Sequence, residues 1–358
     1  MLIPELHIGP YTAKYPVVQG GMGVGISLSQ LAGAVAKAGG VGVISGVETG
    51  YSWPTYDDDK QKANREALVW HLQEARRIAP EGVIGVNIMV ALNNYEEMVA
   101  AAVEGGADII FSGAGLPLVL PALVAGTPVA IAPIVSSAKA AVIMVKQWRA
   151  KYNRLPDAIV VEGPLAGGHL GFSYEQLHDT SGQFALDTIV VGVIEALKQL
   201  LGEKSQSIAI IAGGGVFSGS DIAKLLRLGV NGVQMATRFV ATVECDAHEA
   251  FKQAYVQATL ADVVIIKSPV GMPGRALGNA FLDEAKVGNK QPEWCRVNCL
   301  KPCNPSQAPY CIADALVNAA QGHFHEGFAF CGSEVHRVDR ITTVSELMQE
   351  LMGELAEQ

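Results

Sequence analysis

Residues 208–238 read IAIIAGGGVFSGSDIAKLLRLGVNGVQMATR, and this stretch decides the fold. Ile208–Ala212 is a short unbroken apolar run, as a parallel strand buried on both faces requires. Gly213-Gly214-Gly215 turns the chain, Ser220 is placed to cap a helix that stops at Gly229, and Gly232–Met235 is a second strand. The unit is strand, glycine turn, helix, strand.

Working outward, the same unit recurs. Further apolar runs predict strands at Pro16–Gln19, Val41–Ser45, Val83–Asn87, Asp108–Phe111, Pro128–Ala132 and Ala158–Val161, with helical patterns between them. Ser29 is placed to cap the first helix, which stops at Gly39-Gly40. Eight units predict an α/β fold, a closed (β/α)8 TIM barrel, with an open doubly wound sheet as the alternative. The barrel is favoured because no GxGxxG follows the first strand, where a dinucleotide fold needs it, and the richest glycine turn follows the seventh. Gly46–Asn64 and Gly171–Asp187 read as loops inserted at the C-terminal rim. Residues 1–260 form the expected barrel. Residues 261–358 form a C-terminal extension packed on it, ending in a helix over Thr343–Leu355.

Composition narrows the function. Of 358 residues 49% are apolar and 17% charged, enough for a large core. The net charge of −9 argues against a nucleic-acid or anionic-membrane partner. The N-terminus shows no export signal, and the apolar run 115–135 is broken by four prolines, so the expected address is the cytoplasm. A small-molecule substrate is expected; oligomeric state is open, a homodimer included.

Barrel enzymes commonly hold phosphate groups at the loops after strands seven and eight. Here those are the turn at Gly214 and Gly215 and the segment Ala236-Thr237-Arg238, whose small residues and hydroxyl suit a phosphate cradle. Gly20-Gly21-Met22 after strand one would let a flat ring approach the backbone. Asn87 ends an apolar strand, and its amide either bonds the barrel backbone or faces a ligand. His169, in EGPLAGGHLG (162–171), sits just past strand six, where an imidazole suits proton transfer.

Taken in order, QGGMG, GVNIM, EGPLAGGHLG, AGGG and QMATRF resemble the nitronate monooxygenase family, formerly 2-nitropropane dioxygenases, which includes FMN-dependent enoyl-acyl-carrier-protein reductases of type II. The resemblance covers residues 1 to 280 approximately and implies an FMN-binding (β/α)8 barrel. It implies that Gly21, Met22 and Asn87 meet the flavin ring with Gly168 beside it, that Gly214, Gly215, Ala236 and Thr237 hold its phosphate, and that His169 is the catalytic acid/base. The implied activity is oxidation of alkyl nitronates or nitroalkanes with oxygen; the alternative is an NAD(P)H-dependent enoyl-thioester or quinone reductase. Leu165 departs from the acidic residue common in reductase-like members, and Ala236 replaces a common glycine.

The four cysteines of WCRVNCLKPCNPSQAPYC lie outside that resemblance. Cys295, Cys299, Cys303 and Cys311 are spaced C-x3-C-x3-C-x7-C, and only Cys245 and Cys331 lie elsewhere. An iron–sulfur cluster, a structural zinc and ordinary reduced thiols all remain open on this spacing, with the missing C-x2-C pairs favouring iron–sulfur over zinc.

Overall fold

The computed structural model describes residues 2–295 and 297–358. A hairpin of β1 (Leu6–Ile8) and β2 (Tyr11–Ala13) comes first. The barrel strands are β3 (Val17–Gln19), β4 (Val41–Ser45), β5 (Val83–Met89), β6 (Ile109–Gly113), β7 (Ala130–Val135), β8 (Ala158–Glu162), β10 (Ala209–Gly213) and β11 (Gly232–Met235). Among the described residues these eight run parallel and close in the order β10-β11-β3-β4-β5-β6-β7-β8. The eight expected strands are all present, shifted by up to two residues at their starts and up to three at their ends.

Side chains alternate along each strand, so two cores form. Val41, Val43, Ile109, Phe111, Ala158, Val160 and Ile211 point inward, and Leu6 and Ile8 of the hairpin join them as a plug. Ile44, Val86, Ile110, Ile131, Ile159, Val161 and Ile210 pack outward against the helices. Those helices are α1 (Ser29–Lys37), α2 (Lys60–Ile78), α3 (Tyr95–Glu104), α4 (Leu120–Leu123), α5 (Ala138–Tyr152), α6 (Tyr174–Leu177), α7 (Leu186–Leu201) and α8 (Gly219–Arg227). After β11 come α9 (Thr237–Val240), α10 (Glu249–Val256), α11 (Ala280–Lys286), α12 (Ile312–Ala320) and α13 (Val344–Ala356). Among the described residues no helix is long and apolar enough to cross a membrane.

Two helix caps differ from expectation. Ser218, not Ser220, caps α8: its Oγ accepts the Asp221 N–H, and the Asp221 carboxylate accepts the Ser218 N–H at 2.9 Å. Ser29 lies inside α1, whose first amides, those of Leu28, Gln30 and Leu31, donate to Asp246 at 2.8, 3.2 and 3.1 Å. That cap comes from 218 positions along the chain, where no local pattern reveals it. The expected loop at 46–64 already contains the start of α2, capped by Asp59, whose carboxylate accepts the Lys62 N–H. The loop at 171–187 contains α6 and the first two residues of α7.

The chain beyond residue 261 adds a sheet at the barrel mouth. β12 (Val263–Lys267) and β13 (Pro273–Leu277) form an antiparallel hairpin, and β13 pairs with β9 (Gly168–His169). The terminal helix α13 packs against α8 and α1, starting from a capping box of Thr343 and Glu346.

Candidate active site

The C-terminal ends of the barrel strands open onto a cavity of about 440 Å³. Gly21, Met22, Asn87, Gly168, His169, Gly214, Gly215, Ala236 and Thr237 all line it, so the structure brings the sequence-predicted residues to one place. Glycine makes that room. A Cβ on Gly21 would stand 2.4 Å from the Asn87 Cβ, inside any tolerable contact. Gly214 has φ +106°, a backbone that an L side chain resists, and its Cβ would press on the Ala166 backbone nitrogen and the Gly163 oxygen at 3.0 Å. The glycine turn after β10 thus presents bare backbone to the cavity, beside the small residues Ala236 and Thr237 at the start of α9. Volume and glycine cradle fit a flavin mononucleotide.

Two polar groups at the cavity are left for a ligand. The Asn87 amide makes no hydrogen bond to protein among the described residues, unlike buried Gln19, which is satisfied by Val43 N–H and C=O. Glu162 ends β8, lines the cavity and has no hydrogen-bond or ion-pair partner for its carboxyl among the described residues. Burial pushes its pKa up to about 8, so it is mostly protonated at neutral pH. Thr237 is partly engaged already, its Oγ1 accepting the Gly332 N–H at 3.1 Å. Arg238 turns away to pair with Glu350 on α13 at 2.8 Å.

His169 is held from three sides. Its backbone lies opposite Gly274 in the β13–β9 ladder. Its ring meets Phe330 edge-on, with centroids 4.9 Å apart. Its Nε2 bonds Ser268 Oγ at 2.7 Å, and that oxygen also accepts the Val270 N–H at 3.2 Å. Desolvation lowers the imidazole pKa to about 4, so His169 is neutral at pH 7. The preceding loop is fixed by the buried Arg275, whose guanidinium donates to the carbonyls of Pro164 and Ala166. Among the described residues, no lysine or arginine lines the cavity.

Ser268, Arg275 and Phe330 were not legible in the sequence. They reach the site through the extension, and nothing local marks them. Glu162 did carry a signal, an acid closing an apolar strand.

Among the described residues Cys331 lines the cavity, whereas Cys295, Cys299, Cys303 and Cys311 do not. All are free thiols. Among the described residues no three His, Cys, Asp or Glu side chains converge as a site for a metal ion. A structural zinc needs four ligands, with sulfurs about 2.3 Å from a single point.

Comparison with known proteins agrees with this geometry. The sequence profile described as nitronate monooxygenase matches residues 5–66 and 59–354. The chain is 26% identical over 277 residues to the (3aS,4S,5R,7aS)-5-hydroxy-7a-methyl-1-oxo-octahydro-1H-indene-4-carboxyl-CoA dehydrogenase of Mycobacterium tuberculosis, covering 77% of this chain and 67% of that one. It is 23% identical over 313 residues to a Staphylococcus saprophyticus protein named "Probable nitronate monooxygenase", covering 76% and 78%. Among solved structures, FabK from Thermotoga maritima superposes with a TM-score of 0.72 at 26% identity, covering 96% of this chain and 94% of that one.

Proposed function

Because the chain belongs to the nitronate monooxygenase family, we propose that it is an FMN-dependent oxidoreductase acting at a carbon conjugated to a carbonyl or nitro group. Neutral His169, held by Ser268 at the edge of a cavity without cations, carries the reading. Bound FMN would supply hydride exchange at its ring. Gly214, Gly215, Ala236 and Thr237 would present backbone to its phosphate, Gly21 and Met22 would flank the ring, Gly168 would leave room beside it, and Asn87 would bond a polar edge.

His169 then acts as a hydrogen-bond donor rather than as the proton carrier expected from the sequence. Ser268 Oγ accepts from Val270 N–H and has no acceptor for its own proton among the described residues other than Nε2, so we assign the hydroxyl as donor to the ring. The imidazole proton is thereby kept on Nδ1, which has no protein partner among the described residues and is free for a substrate oxygen. A neutral imidazole polarises a carbonyl without bringing a charge into the site, as in triosephosphate isomerase.

Two substrate classes share this arrangement, an alkyl nitronate oxidised with oxygen and an enoyl thioester reduced by NAD(P)H. The cation-free wall favours the second, because a nitronate brings a full negative charge with no counter-charge to meet it. The mycobacterial relative's CoA-linked substrate supports the same choice. The test is direct. Purified protein loaded with FMN is assayed for NAD(P)H oxidation with a short enoyl-CoA and for oxygen uptake with ethyl nitronate. Faster thioester turnover is expected; faster nitronate turnover reverses the choice, and a protein that does not retain FMN removes the cofactor.

A further inference from the structure

We propose that Met89, Leu116, Ile134 and Leu316 form a subsite for the hydrocarbon part of the substrate, and that Leu116 and Leu316 select substrates carrying a large apolar group. The inference rests on the reading of the cavity as the flavin and substrate site, and it applies to a thioester and a nitronate alike.

Barrel topology divides the cavity rim. In the closed order β10-β11-β3-β4-β5-β6-β7-β8, the turns after β10 and β11 carry Gly214, Gly215, Ala236 and Thr237, the phosphate edge. Four strands on, diametrically opposite, β5 ends in Met89 and the loop after β6 carries Leu116. Ile134 of β7 continues this arc toward His169, which follows β8. Leu316 of α12 lines the same cavity from the extension. A substrate whose reacting carbon sits at His169 therefore has an apolar wall on the β7–β6 side, away from the cofactor phosphate. Among the described cavity-lining residues between 87 and 140, none is charged, and the polar side chains are those of Asn87, Ser136 and Ser137. Asn87 is left for the flavin, and Ser137 caps α5, its Oγ accepting the Ala140 N–H at 3.2 Å. A mostly apolar wall with few polar groups is what a hydrocarbon needs.

The apolar side chains are held in place. Leu116 is 38% exposed, on a loop that is tied down on both sides of it. The Pro117 carbonyl accepts Trp148 Nε1–H at 3.1 Å and the Leu120 N–H at 3.2 Å, and the Leu118 N–H donates to the Leu116 carbonyl at 2.8 Å. Leu316 is half-buried on a helix fixed from beneath. Gly327 approaches Ala315 too closely for a Cβ, and the Ala320 carbonyl accepts the His248 N–H at 2.9 Å. Leucines fixed this way keep apolar surface against water that a hydrocarbon ligand covers. Leu165 is the contrasting case. It is 47% exposed, yet a Cβ on Gly215 would stand 3.0 Å from its Cδ1, so it lies on the phosphate edge and outside the subsite.

The test reads binding and turnover against chain length. Calorimetric titration of the full-length protein, with and without FMN, compares butyryl-CoA with octanoyl-CoA. Turnover by FMN-loaded enzyme compares four-carbon with eight-carbon trans-2-enoyl-CoA in the presence of NAD(P)H, and ethyl with hexyl nitronate under oxygen. A buried methylene contributes about four-fold to an equilibrium or rate constant. Octanoyl-CoA should therefore bind at least about ten-fold more tightly, and kcat/KM should rise by a similar factor, mainly through KM. Leu116→Ser and Leu316→Ser should each cut the preference at least about three-fold with FMN content held, and Leu116→Trp, which fills the arc, should penalise the long chain more than the short one. Leu118→Ser, exposed on the same loop but not lining the cavity, should keep the wild-type ratio. Equal affinity and equal kcat/KM for short and long chains in the wild type overturn the proposal, as does a preference left intact in both leucine-to-serine variants. Absence of turnover on every substrate would sink the proposed function while the binding ratio still decides the subsite; rapid turnover with a flat ratio would sink the subsite alone.

Discussion

The pH dependence of the free enzyme tests the neutral state of His169. Its pKa is lowered from 6.5 to about 4 by desolvation, a shift worth roughly 3 kcal/mol in favour of the neutral ring. At pH 5 roughly nine-tenths of the protein then keeps the imidazole neutral, against about 3% for an unshifted histidine. Measured as kcat/KM on FMN-loaded enzyme, the activity attributable to His169 should fall by only about a tenth between pH 7 and pH 5, where an ordinary histidine would lose about twenty-five-fold. Stability gives an independent check. The unfolded ring binds a proton below about 6.5 that the folded ring refuses until about 4, so stability falls as pH drops through that window. At pH 5 the loss is about 2 kcal/mol, and His71, lowered to about 4 by the same cause, contributes a similar amount. His169→Gln should recover only its own share. A kcat/KM profile that breaks between pH 6 and 7, with no difference in acid sensitivity between wild type and His169→Gln, would refute the reasoning.

The remaining predictions follow from single contacts. Ser268→Ala should lower kcat at least ten-fold with FMN retained, because the imidazole loses the bond that fixes its proton; an unchanged kcat removes Ser268 from the site. Glu162, with its pKa raised to about 8, keeps in the folded chain a proton that the unfolded chain loses above about 4.5, so its contribution to stability falls as pH rises between those values, opposite in sign to that of the two histidines. Glu162→Gln should remove that share, so its denaturation midpoint should rise between pH 5 and pH 8 by more than the wild-type midpoint does. Gly21→Ala drives a methyl to 2.4 Å from the Asn87 Cβ and should cost about 1–3 kcal/mol together with flavin retention, read by melting and by absorbance. Asp246→Ala leaves three α1 amides without their acceptor and should lower stability by about 1–3 kcal/mol in urea titration, with no change in the active-site pH profile.

Much of the fold was written locally. Parallel strands buried on both faces must be unbroken apolar runs, and the period-two split between inward Val41 and Val43 and outward Ile44 follows from strand geometry alone. The glycines were legible because a backbone at φ +106° selects for them in sequence. What could not be read was everything that depends on distance along the chain. Asp246 caps a helix whose own sequence offers Ser29 as the nearer candidate. Ser268 becomes a partner of His169 only because β13 folds back onto β9, 99 positions away. A two-residue strand such as β9 has no period to detect.

That folding back also explains why His169 can be neutral where a rim histidine would ordinarily titrate near 6.5. On the barrel alone, the loop after β8 would leave the ring facing water. β13 supplies the strand partner, Phe330 covers the ring edge, and Arg275 ties down the carbonyls of Pro164 and Ala166. Each contact removes solvent or freedom without adding a charge beside the imidazole, so desolvation acts unopposed. The chain beyond residue 261 therefore sets the chemistry of a histidine that the barrel only positions. The same segment brings Cys299 to the loop after β5 and Leu316 to the cavity wall. The barrel supplies the cradle, and the electronic character of the site is decided by what the extension lays across its mouth.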